Sequence, residues 1–545
     1  MPAGAPVVRI PAALTAAPLP VPAGVAARPR ARSVWSHVRE DPGLAVTVAL
    51  TLGLSVAAVA YFQAAGLTVA YDDAHSRLMI ARTVLDGRHP GLAQLGGVWP
   101  PLPQLAMLPF VWNDDLFYSG IAGAIPSALA YVVSSAFLYK LIVRLTLDTA
   151  AGLIGVLAFS GPNVLYLQSV PMSEMPFTAC FLGTVYFATS WMLRGSLFSL
   201  FMAALMACLS SLSRYEGWVL VVLLAVTVVW FCKRAGHRYE EIEGIALLFG
   251  LMAFLGGGLW ILWNRLIFGD ALYFLHSQYG TKALNSLQLA AMPPAARPIG
   301  NLVLSAQVVA WALLDNVGVI AAGLAVLGLA RLAVARRFGP ATVTAGVLLL
   351  FPLVFTIAAA FAGAEVIADP NATPGIGPTN VRYAVLLAPA AGFLIGWLAH
   401  GSHGRWPVIV ACLLSAALVW HGGLVQVREA RSLVTTAQGR TSTRAGEWLR
   451  QHYDGGLVLM QRRTNENLLF TSRVPLGDVV YEGDRDEWTA DLHDPAGDVH
   501  WLVMDAGDPS TGAPADQVWL DLHDRVLTGG YEPVYQDGPI AVYHR

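Results

Sequence analysis

The most constraining feature of this sequence is a succession of apolar stretches, most of them about as long as a bilayer is thick. They lie near 44–66, 118–145, 149–168, 174–194, 197–213, 216–233, 243–268, 312–334, 341–362, 382–400 and 406–426. About 20 apolar residues in a helix cross the hydrocarbon core. Composition points the same way. Of 545 residues, 55% are hydrophobic and 13% are charged, against about 25% charge in soluble domains. Such a chain cannot cover its apolar area with polar surface. The sequence predicts a mostly α, polytopic transmembrane bundle of about 11 spans, and it excludes disorder, coiled coil and a disulfide scaffold for the bulk of the chain.

Residues 1–42 are rich in Ala and Pro and carry Arg28, Arg30, Arg32 and Arg39. They read as a disordered cytoplasmic arm. Ala58-Val59-Ala60 in the first apolar run resembles a cleavage site. The run is too long and its leader too distant from a signal peptide's plan, so it reads as an uncleaved span. Trp99–Phe110 is apolar but holds Pro100, Pro101, Pro103 and Pro109. It reads as irregular backbone packed at the membrane face.

With the arm inside, the inner connections carry Lys140 and Arg144, Arg194, Lys233, Arg234 and Arg238, Arg331, Arg336 and Arg337, and Arg405. That satisfies the positive-inside rule. The expected organisation is a transmembrane domain over 43–426, with outside loops near 67–117, 269–311 and 363–381, in a plasma membrane. Residues 427–545 then form an extracytoplasmic α/β domain. This tail carries 11 Arg against 19 Asp and Glu, so it lacks the basic surface of a nucleic-acid module. Helical spacing is expected over Thr443–Tyr453 and Ala515–Leu527, and strands at Gly456–Met460 and Val499–Asp505. Tyr531–Tyr535 and Ile540–Tyr543 flank a hairpin signal at Asp537-Gly538. The four cysteines all lie in apolar runs, without disulfide or metal spacing.

The first outside loop holds Tyr71-Asp72-Asp73-Ala74-His75 at the start of a short amphipathic helix. Acids at a helix N-terminus are favoured, and capping accounts for one of them. It does not account for two acids beside a histidine and a span. His75 reads as a local hydrogen-bond partner or, less simply, a ligand. Glu174 sits between two spans, as an N-cap or a site acid. Arg214-Tyr215-Glu216-Gly217 lies between two others, and Arg382-Tyr383 opens a span. Each arginine fits either pairing with an outside acid or a site role. Ionisable groups near a membrane are costly, and these all face one compartment. Arginine grips phosphate oxygens, a carboxylate can take a hydroxyl's proton, and an apolar bundle suits a lipid tail. A lipid-phosphate sugar meets all three conditions.

These residues resemble the GT-C superfamily of polytopic membrane glycosyltransferases, in particular the protein O-mannosyltransferase and aminoarabinose transferase group. Tyr71-Asp72-Asp73 looks like the family's Asp-Glu motif, with Asp73 one methylene shorter than the usual Glu. Leu85-Asp86-Gly87 with Trp99-Pro100-Pro101-Leu102 looks like its small-residue–Gly and Pro-Pro-Leu segment. Asn264 to Asp270 with Tyr273-Phe274, and Arg382-Tyr383 with Pro389, look like later signatures. The resemblance covers about 44–400. It implies inverting transfer of a hexosyl or pentosyl group from a polyprenyl-phosphate donor to a lipid, glycan or protein acceptor. It implies Asp72 as base, Asp73 as a catalytic or orienting acid, and His75, Glu174, Arg214, Tyr215, Glu216, Arg382 and Tyr383 as substrate-binding residues. No cofactor is required by the sequence. Asp72, Asp73, Glu174 and Glu216 are oxygen donors suited to a divalent cation, so the metal is left open. A transporter or a non-catalytic membrane binding protein are the alternatives. A transporter would place ionisable groups at the bundle's middle.

Overall fold

A computed structural model describes residues 41–277, 279–334, 339–400, 404–434, 436–495, 497–507, 514–526 and 529–545. The expected N-terminal arm lies outside the described residues. Among those described, six helices are long and apolar enough to cross a membrane: Pro42–Ala64, Ile121–Thr146, Glu216–Arg234, Pro340–Ala362, Val381–Ala399 and Arg405–Arg431. Two bent pairs raise this to eight, namely Tyr239–Ala253 with Leu255–Phe268 and Leu302–Val317 with Val319–Val334. The helices Thr149–Phe159, Glu174–Arg194 and Leu197–Ser211 fall at the remaining apolar stretches. The chain is a multi-pass membrane bundle.

Two local expectations are corrected. Trp99–Phe110 is not irregular throughout, because a helix runs over Leu102–Val111. Pro103 falls in its first turn, where the missing N–H has no intrahelical partner to lose, and Pro109 lies near its end. The apolar run near 312–334 is not one straight span. It breaks at Gly318 (φ 84°), and the two helices meet at 107°. Gly318 takes a left-handed conformation that a β-carbon would strain.

Small residues let the bundle close. In Thr149–Phe159 and Ala388–Ala399, Gly155 and Gly392 face each other so closely that a Cβ on either would stand 2.7–2.8 Å from the other's carbonyl oxygen. Gly328 of Val319–Val334 meets the Leu394 carbonyl, where a Cβ would come to 2.1 Å. Without a hydrophobic drive between helices in lipid, this close backbone packing holds them. Gly328→Val therefore has to move a helix backbone. It is expected to cost ~1–3 kcal/mol and to lower the thermal unfolding midpoint of the purified protein. An unchanged midpoint would reject this packing.

The C-terminal region is a small α/β unit. Its strands are β1 (Leu457–Leu459), β2 (Val479–Val480), β3 (Val499–Asp505), β4 (Glu532–Asp537) and β5 (Ile540–His544). They form one sheet in the order β2-β1-β3-β5-β4. β2, β1 and β3 are parallel, and β3, β5 and β4 are antiparallel. The expected hairpin is present, with Asp537 opposite Ile540. The expected helices are present but shifted, to Ala437–His452 and Gln517–Leu522. Helix Arg462–Ser472 and strand β2 were not expected.

This unit is tied to the helix Asp72–Asp86 and to the segment that follows it. Phe470 stacks on His75 at 4.4 Å between ring centres. Arg462 donates to the Thr83 hydroxyl at 3.2 Å. Arg88 donates to Glu487 at 2.7 Å, and the Tyr481 hydroxyl donates to Gln94 at 2.8 Å. The Ser76 hydroxyl donates to Glu466. A helix read from sequence as lying at the membrane interface is thus covered on its outer side by folded protein.

Candidate active site

Asp72 and Asp73 are the first two residues of the helix Asp72–Asp86. Asp72 is not its cap. Tyr71 occupies the cap position and makes no side-chain cap bond. Capping therefore explains neither acid.

The two carboxylates have different fates. Asp73 is ion-paired with Arg382. Asp72 is exposed at the rim, and its carboxylate makes no hydrogen bond or ion pair with the described residues. Crowding by protein withdraws it from water, and Asp73 and Glu466 lie close by. Together these raise its carboxyl to about 6, with Arg382 opposing the shift. Glu466 itself is pushed upward by burial.

Arg382 comes from a 3-10 turn, Val381–Leu387, that leads into the helix Ala388–Ala399. Besides Asp73 it faces Glu174 at 3.5 Å and Glu429 at 3.8 Å. Glu429 also accepts the Asn380 backbone N–H at 2.8 Å. Arg214 pairs with Glu174 at 3.0 Å and with Glu216 at 2.6 Å. It also donates to the Ser173 hydroxyl at 3.2 Å. The Tyr383 ring lies under both guanidinium groups, at 5.0 Å from Arg214 and 5.4 Å from Arg382. Tyr71 is buried below, donating from its hydroxyl to Gln426 at 2.7 Å.

Glu174 is only 1% exposed. It is the first residue of Glu174–Arg194 rather than its cap, which is Ser173. One of its oxygens receives both arginines, and the other has no hydrogen-bond partner among the described residues. Glu365 joins the edge of this group. Burial first, and then Glu216, push its carboxyl up.

The structure thus brings together Asp73, Glu174, Arg214, Glu216, Arg382 and Tyr383, with Asp72 at the rim. Tyr215 is near but turned aside. Its hydroxyl donates to the Val98 carbonyl, and its ring stacks on Phe274 at 5.2 Å. His75 is not placed with the cluster. It is packed beneath Phe470, and burial lowers its imidazole to about 4, so it is neutral near pH 7. Sequence reasoning missed Glu429, which lies in the polar-looking helix Val425–Val434, and Arg77, which stacks on Trp99. Among the described residues no group of three or more His, Cys, Asp or Glu side chains has the arrangement of a metal site. The acids face arginines instead.

Comparison with solved structures decides the fold. ArnT from Cupriavidus metallidurans, solved bound to undecaprenyl phosphate, superposes with a TM-score of 0.58, covering 90% of this chain and 97% of that one at 14% identity. The chain has the GT-C fold. The apo ArnT structure shares this GT-C architecture with a TM-score of 0.54, at the same identity and coverage. The profile of the dolichyl-phosphate-mannose-protein mannosyltransferase family matches residues 117–260. That segment includes Glu174, Arg214 and Glu216 of the cluster, but not Asp72, Asp73, Arg382 or Tyr383. No curated protein matches the chain at a significant level.

Proposed function

We propose that this chain is an integral-membrane glycosyltransferase that moves a sugar from a polyprenyl-phosphate donor to an extracytoplasmic acceptor by inverting displacement, with Asp72 as base. The observation that carries this reading is the split between adjacent carboxylates. Asp73 is held by Arg382 within a buried cluster of acids and arginines, while Asp72 stands unpaired at its rim.

A base must reach an incoming hydroxyl or amine and be largely deprotonated at working pH. Asp72 meets the second condition with a carboxyl near 6 and the first by its exposure. In the reaction the acceptor oxygen or nitrogen forms a bond to the sugar's anomeric carbon. The bond from that carbon to the phosphate oxygen breaks, and its electron pair leaves on the phosphate. Asp72 takes the acceptor's proton. Asp73, fixed by its ion pair, orients the acceptor side.

Two comparisons support the donor class. The ArnT of the same fold was solved with undecaprenyl phosphate, and the matching family is described by its dolichyl-phosphate-mannose donor. Sidedness supports the compartment. Asp73, Glu174, Arg214, Arg382 and Glu429 converge at one end of the bundle. Asp148, paired with Arg405 at 2.8 Å, belongs to the basic-rich connections that the positive-inside rule puts in the cytoplasm.

The test is transfer by the purified chain in lipid nanodiscs. Radiolabelled hexosyl and pentosyl polyprenyl phosphates would be offered with membrane-lipid and cell-wall extracts, with and without chelator. Label is expected to move from one donor class to an acceptor. A folded protein that neither transfers from nor binds any lipid-linked sugar would overturn the reading.

A further inference from the structure

Arg77 differs from the other two arginines of the site. It is 6% exposed, yet its Nε and Nη1 atoms are buried with no hydrogen-bond partner among the described residues. Arg214 and Arg382 aim their donors at carboxylates; Arg77 aims its donors at none. An uncompensated buried charge costs several kcal/mol, and an apolar side chain would pack there without that cost. The site keeps the charge.

The surroundings of Arg77 narrow what it is for. It follows Asp73 by four residues in the same helix, so both lie on one side of it. Asp73 and Glu174 attract it, and Arg214 and Arg382 repel it, which places it within reach of the cluster's field. Its guanidinium rests over the Trp99 ring at 4.4 Å. Stacking uses the flat face of the group and leaves the N–H edge free. A planar fork with free donors matches an anion with several oxygens. Carboxylates of the protein already occupy the other two forks.

We propose that the free edge of Arg77 binds a phosphate group, either the headgroup of the lipid-linked donor or free inorganic phosphate. The lipid source rests on the function proposed above; the anion site itself does not. On this view Arg77 is the arginine ready to accept phosphate without first giving up an acid. Arg214 and Arg382 fix the acids and supply positive field.

The experiment measures binding to the purified full chain by calorimetry, for wild type, Arg77→Gln and Arg77→Lys. The probes are a short-chain polyprenyl phosphate, the matching polyprenol and inorganic phosphate. Wild type is expected to bind the phosphate lipid at least about tenfold more tightly than the alcohol. Arg77→Gln should lose most of that preference with alcohol binding unchanged, and Arg77→Lys should keep part of it. The unliganded Arg77→Gln protein should unfold at the wild-type midpoint or higher, because an unpaired charge has gone. A purely structural arginine would lower the midpoint and leave the preference in place. A phosphate preference that survives Arg77→Gln overturns the assignment and leaves the donor reading standing. Inorganic phosphate binding that depends on Arg77, with no preference for the phosphate lipid, keeps the site and removes the lipid donor. No phosphate binding of either kind overturns both.

Discussion

Asp72→Asn is expected to lower sugar transfer by roughly 10²–10⁴-fold, the usual contribution of a positioned general base, while the protein stays folded. Asn keeps the shape and loses the ability to take a proton. In wild type the rate should rise with pH as Asp72 ionises, half-maximal near 6, because crowding and the neighbouring acids Asp73 and Glu466 hold its carboxyl there. An ordinary aspartate would put that rise near 3.8. A rate profile flat from pH 5 to 8 at unchanged donor binding would remove Asp72 from the role.

Stability should move the other way, which separates the two causes of lost activity. The raised value means that the folded protein holds this proton more tightly than the unfolded chain. The group therefore favours folding below about 3.8, and that contribution is lost as pH rises through about 6. Above 6 the charged carboxylate weighs against the folded state. Asn carries no such charge, so at pH 7 the variant should unfold at the wild-type midpoint or above it. An inactive variant that unfolds well below wild type would assign the loss to structure and withdraw the base.

The bundle was legible because period and length decide spans, and apolar runs of that length have one home. What periodicity could not show was where a run bends. The stretch near 312–334 is apolar apart from Asp315, Asn316 and Arg331, and its sharp break falls at Gly318, just after the polar pair. Prolines misled in the opposite direction at Leu102–Val111, because those in a first turn cost a helix nothing. In the site, Asp72, Asp73, Glu174, Arg214 and Arg382 stood out as charges bordering apolar runs. Glu429 did not, because Arg428 and Arg431 flank it and the segment reads as a solvated connection. It is buried because the chain turns back under Asn380. Arg77 was hidden for a related reason. It reads as the polar face of an amphipathic helix, and both faces of that helix are covered once Phe470 and Arg462 pack over it. Tertiary cover of this kind leaves no local signal.

Arg382→Met is expected to be the most damaging single change to the folded state. Arg382 is 6% exposed, and its guanidinium faces three acids, Asp73, Glu174 and Glu429. Removing the cation from a buried ion pair costs about 3–5 kcal/mol, because the partner charges stay behind uncompensated. A large fall in the unfolding midpoint should follow. Adding Glu429→Gln to Arg382→Met should restore part of it, since one stranded charge is then gone. The coupling in that double-mutant cycle should be about 0.5–3 kcal/mol. Strict additivity of the two changes, or a neutral Arg382→Met, would show that the cluster does not act as an electrostatic unit. Arg382→Lys should fall between, because a point charge cannot serve three carboxylates that a planar fork reaches. The same reasoning explains why so expensive a cluster sits beside Asp72. Two adjacent carboxylates repel, and with Asp73 tied to Arg382, Asp72 is the one left outside the ion pairs, its carboxyl raised to about 6.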